Sequence, residues 1–268
     1  MKNILFTLAL LISFVSFGQT AEEYFNSGRE KDEAKDYYGA IADYTKAIEI
    51  APTAYSAYFN RGVSKHILKD YNGALADYTK AIELNPNYVN AYINRGLSKS
   101  DLKDNYGAIA DYTKAIEIDP NAVIAYSNRG VSKNNLKDYY GAIADYTKAI
   151  ELNPNYISAY NNRGVSKQNL KDDNGAISDF TKAIELNPNY VSVYNRRGLS
   201  KDNLKDYYGA IADYTKAIEI DPNYISAYNR RGVSKQNLGD LNAACADWKK
   251  AAELGDTDAA EWVAKQCN

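Results

Sequence analysis

Between residues 89 and 122 the apolar and small positions fall at spacings of three and four. Tyr92, Gly96, Ser98, Lys99 and Leu102 mark one helical face, and Ala108, Ile109, Tyr112, Ala115 and Ile116 mark a second. Lys103-Asp104-Asn105-Tyr106 separates them, with Asp104 placed to cap the second helix. Asp119-Pro120-Asn121 closes it, because proline biases its predecessor away from helical geometry. Small residues at Gly96, Ala108 and Ala115 let the two helices approach closely. The pattern predicts a helical hairpin.

The hairpin recurs. Arg-Gly stands at Arg61, Arg95, Arg129, Arg163, Arg197 and Arg231, and proline at Pro52, Pro86, Pro120, Pro154, Pro188 and Pro222, each series stepping by 34 residues. A unit this small buries its apolar face only by stacking on its neighbours, so the expected architecture is one elongated domain over 19–268. Its repeats are 21–54, 55–88, 89–122, 123–156, 157–190, 191–224 and 225–258.

At this spacing an aromatic at Tyr92, then Gly96, Ala108, Tyr112, Ala115 and Pro120, resembles the tetratricopeptide repeat. The first repeat carries Tyr24, Gly28, Ala40, Tyr44 and Ala47; the seventh carries Tyr228, Gly232, Ala244, Trp248 and Ala251 but has Asp256 in place of the proline. The resemblance implies an all-α fold, a right-handed α-α superhelical solenoid of seven 34-residue helical hairpins whose first helices line a concave groove. Two departures stand out: arginine before the glycine where the family commonly has leucine, and lysine three residues after it, as at Lys65 and Lys99, where the family commonly has an aromatic. Each second helix carries an aspartate before its aromatic, from Asp43 to Asp247. Only the first repeat lacks the arginine, having Ser27 there and no preceding helix. Each arginine is therefore expected to reach back to the aspartate of the preceding repeat, Arg61 to Asp43 and Arg129 to Asp111.

The end of the chain departs from the repeat. Residues 257–267 form a further amphipathic segment with Ala259, Trp262, Val263 and Gln266 in line, and Lys250 to Lys265 resembles the related Sel1-like repeat. This is the expected capping helix, since a solenoid must cover its last apolar face. Cys245 and Cys267 are the only cysteines. A disulfide between them is the expectation in an exported chain, set against one buried thiol and one on a frayed tail.

Residues 1–18 read as a cleaved signal peptide: Lys2, an apolar run from Ile4 to Phe17, and small residues at Ser16 and Gly18. The run is too short for the roughly 20 residues that span a bilayer. The mature chain is then expected near Gln19, secreted or periplasmic, without membrane insertion. Without Lys2 it holds 31 basic against 34 acidic residues, interspersed, which offers no field for nucleic acid. Catalytic residues and cofactors are expected to be absent: the sequence sets no cysteine, serine-nucleophile motif or acidic residue at a recognisable catalytic spacing from the single histidine, His66, and two cysteines with one histidine cannot close a zinc shell.

Variation between repeats carries what functional signal remains. One residue after the first-helix tyrosine, a groove position in the resembled family, the series reads Phe25, Phe59, Ile93, Ser127, Asn161, Asn195 and Asn229. The next position is asparagine through Asn162, then Arg196 and Arg230. A later position ends in Asn135, Asn169, Asn203 and Asn237. Asparagine donates and accepts, so such a row suits the backbone of an extended segment. The expected function is a non-enzymatic scaffold holding a protein or peptide partner, with an accessory or regulatory subunit of an envelope enzyme or assembly complex as the alternative. The sequence sets no oligomeric state.

Overall fold

The computed structural model describes residues 19–267. The expected signal peptide lies outside them. Every regular element among the described residues is an α-helix, and the helices fall into two units. The first, up to Pro86, holds α1 (Ala21–Glu33), α2 (Tyr37–Ile50), α3 (Tyr55–Ile67) and α4 (Tyr71–Leu84). The second holds α5 (Val89–Asp101), α6 (Asn105–Ile118), α7 (Val123–Asn135), α8 (Tyr139–Leu152), α9 (Ile157–Asn169), α10 (Asp173–Leu186), α11 (Val191–Asn203), α12 (Tyr207–Ile220), α13 (Ile225–Asn237), α14 (Leu241–Glu253) and α15 (Thr257–Gln266). Odd and even helices pair as hairpins, and within each unit the second helix of one hairpin packs on the first helix of the next. The all-α repeat arrangement is the one expected.

Each second helix starts on an aspartate whose carboxylate accepts from the backbone three residues on, as Asp104 Oδ1 does from the Gly107 amide at 2.9 Å. Just before it the chain turns through the left-handed region on a lysine, for example Lys103 (φ 66°) and Lys137 (φ 63°); only the seventh hairpin places glycine there, Gly239 (φ 84°). The hairpin interior is alanine and one aromatic ring. Tyr112 and Tyr146 are buried beside Ala108, Ala115, Ala142 and Ala149. Gly130 is required by contact: a Cβ on it would lie 2.7 Å from Tyr146 Cε1.

The arginines do not reach back to the preceding aspartate. Arg129 donates Nε to Asp145 Oδ2 at 3.0 Å and Nη2 to Asp145 Oδ1 at 2.7 Å, within its own hairpin. Its remaining nitrogen, Nη1, donates to Thr113 Oγ1 of the preceding hairpin at 3.0 Å. Lys133, the residue standing where the family has an aromatic, closes on Asp145 Oδ2 at 2.8 Å, and the Arg129 guanidinium lies 5.6 Å from the Tyr126 ring centroid. The same bidentate pair joins Arg61 to Asp77, Arg95 to Asp111, Arg163 to Asp179, Arg197 to Asp213 and Arg231 to Asp247. The correction is geometric. The aspartate faces the first helix of its own hairpin, and the planar guanidinium has one fork for the carboxylate and one nitrogen left to bridge backwards. In the first hairpin Ser27 donates to Asp43 at 2.6 Å and Lys31 pairs with it at 2.6 Å. Among the described residues no hairpin precedes this one to offer an arginine the threonine that Thr113 offers Arg129. Burial pushes the Asp43 carboxyl up, but the bonds from Lys31 and Ser27 outweigh it and hold the group below its ordinary value.

The C-terminal end is as expected. Cys245 and Cys267 are disulfide-bonded with Cα atoms 5.6 Å apart, and α15 covers the last hairpin with Ala259 buried and Trp262 edge-on to Trp248, ring centroids 5.6 Å apart.

Candidate functional site

The first helices of the repeats carry a variable position whose side chain meets the next hairpin. Thirty-two residues separate each pair: Asn134 accepts from Ser166 at 2.9 Å, Gln168 donates to Ser200 at 2.8 Å, and Asp202 accepts from Ser234 at 2.7 Å. In the first unit Asp32 does the same for Ser64, also at 2.7 Å. These side chains stitch neighbouring hairpins together, and they set which groups remain open to solvent.

From the fourth to the sixth repeat the position after the first-helix tyrosine belongs to this packing and not to an open groove. Asn161 and Asn195 are each 8% exposed. Their amides donate to Asn162 Oδ1 and Ser226 Oγ, and that of Asn229 donates to Asp256 Oδ2 at 2.8 Å. All three carboxamide oxygens are buried with no hydrogen-bond partner, so a ligand's backbone cannot reach them. In the first unit Phe25 and Phe59 are half-buried, each about 5.8 Å from the ring of Tyr44 or Tyr78 in its own hairpin. Ile93 is half-buried as well.

The next position is open. Asn162, Arg196 and Arg230 are all partly exposed. The other five arginines of the second unit close on aspartates; Arg196 and Arg230 form no ion pair among the described residues. Arg230 faces a cavity of about 710 Å³ whose walls come from α11, the start of α12, α13 and the cap. Leu199, Tyr207, Ile225, Val233 and Trp262 give it apolar surface; Asn203 and Asn237 also line it, with the Asn203 amide donating to Asp173 Oδ1 at 3.0 Å.

Two carboxylates also border the cavity, and both are already committed. Asp256 caps α15 through the Ala259 amide at 2.8 Å and receives the Asn229 amide. Asp202 receives Tyr214 at 2.7 Å and Ser234. Burial raises its carboxyl above the ordinary aspartate value, against the pull of those two hydroxyls and of the Arg230 charge. The Tyr214 hydroxyl is pushed well up by burial and by Asp202. Beside them the cavity offers the Arg230 guanidinium, which lies near Asp202 and Tyr214, the Asn237 amide and an apolar wall.

Of the expected site residues, the structure brings Asn229 and Arg230 to this cavity, the first as part of its wall. Arg196 lies one hairpin upstream on α11, with its backbone carbonyl accepting from Gln168 at 3.0 Å. Sequence reasoning missed Asp202 and Trp262. The first had a signal: the series Asp32, His66, Ser100, Asn134, Gln168, Asp202, Gln236 varies as much as the positions that were read. Among the described residues no group of three or more His, Cys, Asp and Glu side chains could hold a metal ion, and no helix is long and apolar enough to cross a membrane.

A tetratricopeptide-repeat family model matches residues 55–88, 123–156, 157–190 and 191–224. A second model of the same description matches 213–246 and a third matches 21–53 and 89–122. No curated protein matches the chain. Among solved structures, the MamA protein is 29% identical, covers 66% of this chain and 94% of its own, and superimposes with a TM-score of 0.59. YrrB, described as a tetratricopeptide protein with an unusual peptide-binding site, is 25% identical over 70% of this chain and 97% of its own, TM-score 0.61. A tetratricopeptide protein from Parabacteroides merdae ATCC 43184 shares the fold at 21% identity over 94% of this chain and 100% of its own, TM-score 0.68.

Proposed function

Because the chain belongs to the tetratricopeptide-repeat family, we propose that it is an exported, non-enzymatic scaffold that holds an extended acidic or carboxylate-ended peptide across α9, α11 and α13. The observation that carries this reading is the pair Arg196 and Arg230. Elsewhere in the second unit arginine serves the hairpin; these two replace the asparagine of earlier repeats and stay unpaired on successive first helices. A guanidinium fork matches a carboxylate in a way a single ammonium does not. Asn162 continues the open row on α9. The peptide-binding site described for YrrB supports a binding role for this kind of surface, and the Cys245–Cys267 bond supports an oxidising compartment.

An array of peptides bearing free C-terminal carboxylates, acidic side chains or neither, each also made with an amidated end, tests the site. Wild-type protein should bind the carboxylate-bearing members, with capture falling as salt rises. Arg196→Ala with Arg230→Ala should lose about tenfold or more in capture, on the order of 1.4 kcal/mol, at unchanged helicity. Equal capture by the double variant would refute the site. Cleavage after Gly18 should leave Gln19 at the start of the exported chain; an intact Met1 by mass spectrometry would refute export.

A further inference from the structure

The cavity beside Arg230 is walled on one side by the cap, and the cap is a short helix held at its far end by a covalent bond. α15 has 10 residues, a length that is marginal as a helix unless packing supports it. Its buried residue is Ala259; Trp262 and Val263 are only partly covered against the cluster of Trp248, Ala251 and Cys245. It joins α14 through Gly255 (φ 101°), a position that favours glycine. Yet this helix and its cap residue supply Trp262 and Asp256 to the cavity. The elements opposite, α11 and α13, are fixed by the arginine pairs; α15 has no such pair.

We infer that the Cys245–Cys267 disulfide is a redox tie that holds α15 in place as one wall of the cavity, so that its reduction frees α15 and weakens binding at the peptide site. This rests on the reading of Arg230 as part of that site. The chemistry requires an external dithiol. Its thiolate attacks the sulfur of the half-buried Cys267, Cys245 leaves as thiolate, and the second thiol resolves the mixed disulfide. Two electrons and two protons pass from the dithiol to the two cysteines, and the dithiol ends as its own disulfide. Loss of a tie across 22 residues relaxes the restraint on the detached cap by on the order of 100-fold in the chain-entropy model.

Both tryptophans of the chain, Trp248 and Trp262, lie at the cap, so fluorescence reports it directly. Oxidised protein, protein reduced with dithiothreitol and the Cys267→Ser variant are compared by amide hydrogen exchange, by acrylamide quenching of tryptophan, and by binding of anilinonaphthalene sulfonate, an aromatic anion. Arg230→Ala defines the part of the dye signal that belongs to the cavity. On reduction, α15 amides should exchange at least about tenfold faster while those of α9 hold, quenching should rise, and the Arg230-dependent dye affinity should fall about tenfold. Cys267→Ser should behave as reduced protein and ignore dithiothreitol. Unchanged α15 exchange and quenching on reduction overturn the inference, as does faster exchange with unaltered Arg230-dependent dye binding. Absence of any Arg230-dependent dye binding in oxidised protein counts against the proposed peptide site instead, and the tie is then judged on exchange and quenching alone.

Discussion

Replacing Arg129 by alanine tests how the hairpins are held. The side chain makes two bonds to Asp145 and one to Thr113, and covers the Tyr126 ring. Asp145 is 4% exposed, so losing its partner is not repaired by water. A buried pair broken on one side costs about 3–5 kcal/mol when the remaining charge is orphaned. Here Lys133 stays on Asp145 Oδ2, so the carboxylate keeps one cation and the expected cost falls to about 2–3 kcal/mol. The bond to Thr113 is neutral on one side and accounts for roughly 0.5–1.5 kcal/mol of that.

Double-mutant cycles separate these contributions, using urea unfolding followed by far-UV circular dichroism at constant m. Arg129 with Asp145→Asn should show coupling of about 1.5–3 kcal/mol, Arg129 with Thr113→Val about 0.5–1, and Arg129 with Asp111→Asn less than about 0.5. Arg129→Lys should recover only part of the loss, since an ammonium cannot span both carboxylate oxygens and the threonine at once. Coupling of Arg129 to Asp111 as large as that to Asp145 would refute the arrangement, as would a single-mutant cost below about 0.5 kcal/mol, the level of an exposed ion pair.

Gly130→Ala drives a methyl to within 2.7 Å of the Tyr146 ring and should cost about 1–3 kcal/mol in the same unfolding assay, whereas Gly239→Ala meets no neighbouring atom and should cost only the left-handed strain at φ 84°, about 1 kcal/mol. Lys137→Gly should raise stability by roughly 0.5–1 kcal/mol, since relief of the left-handed conformation exceeds the added entropy of the unfolded chain. Asp202→Asn should raise stability at pH 7 and lose that advantage on acidification. The folded carboxyl titrates above the unfolded one, so its ionised form costs stability at neutral pH, and that cost disappears as pH falls from the raised value to below the ordinary one. A flat difference between variant and wild type across that range would count against the burial argument.

The hairpins and their aspartate caps are legible because each depends on spacing within one repeat. Asp104 accepts from the amide three residues ahead; the disulfide is suggested by Cys245 and Cys267 being the only two cysteines, and the fold settles it by bringing their Cα atoms to 5.6 Å. The partner of the arginine was not legible from period alone. Arg61 lies 16 residues before Asp77 and 18 after Asp43, and a step of 34 carries either choice onto an equivalent one. Deciding between them needs the direction in which the aspartate leaves its helix. The clue taken from Ser27 was sound in form, since the first hairpin does lack something for an arginine to meet. What it lacks is the threonine, because its aspartate is already there.

The proposed binding surface obeys a similar limit. Asn161 and Arg196 belong to adjacent series, and a shift of one residue turns a side chain by about 100° around a helix. That turn separates an amide shut between hairpins from a guanidinium left open. The cavity at the C-terminal end goes further, because Arg230, Asp202 and Trp262 meet only after α15 has folded back over the last hairpin. A repeat supplies the same packing at every step, so a site specific to this chain has to arise where the repetition stops. The cap is that place, and it brings together the unpaired Arg230, the altered polarity around Asp202 and the one covalent tie in the fold.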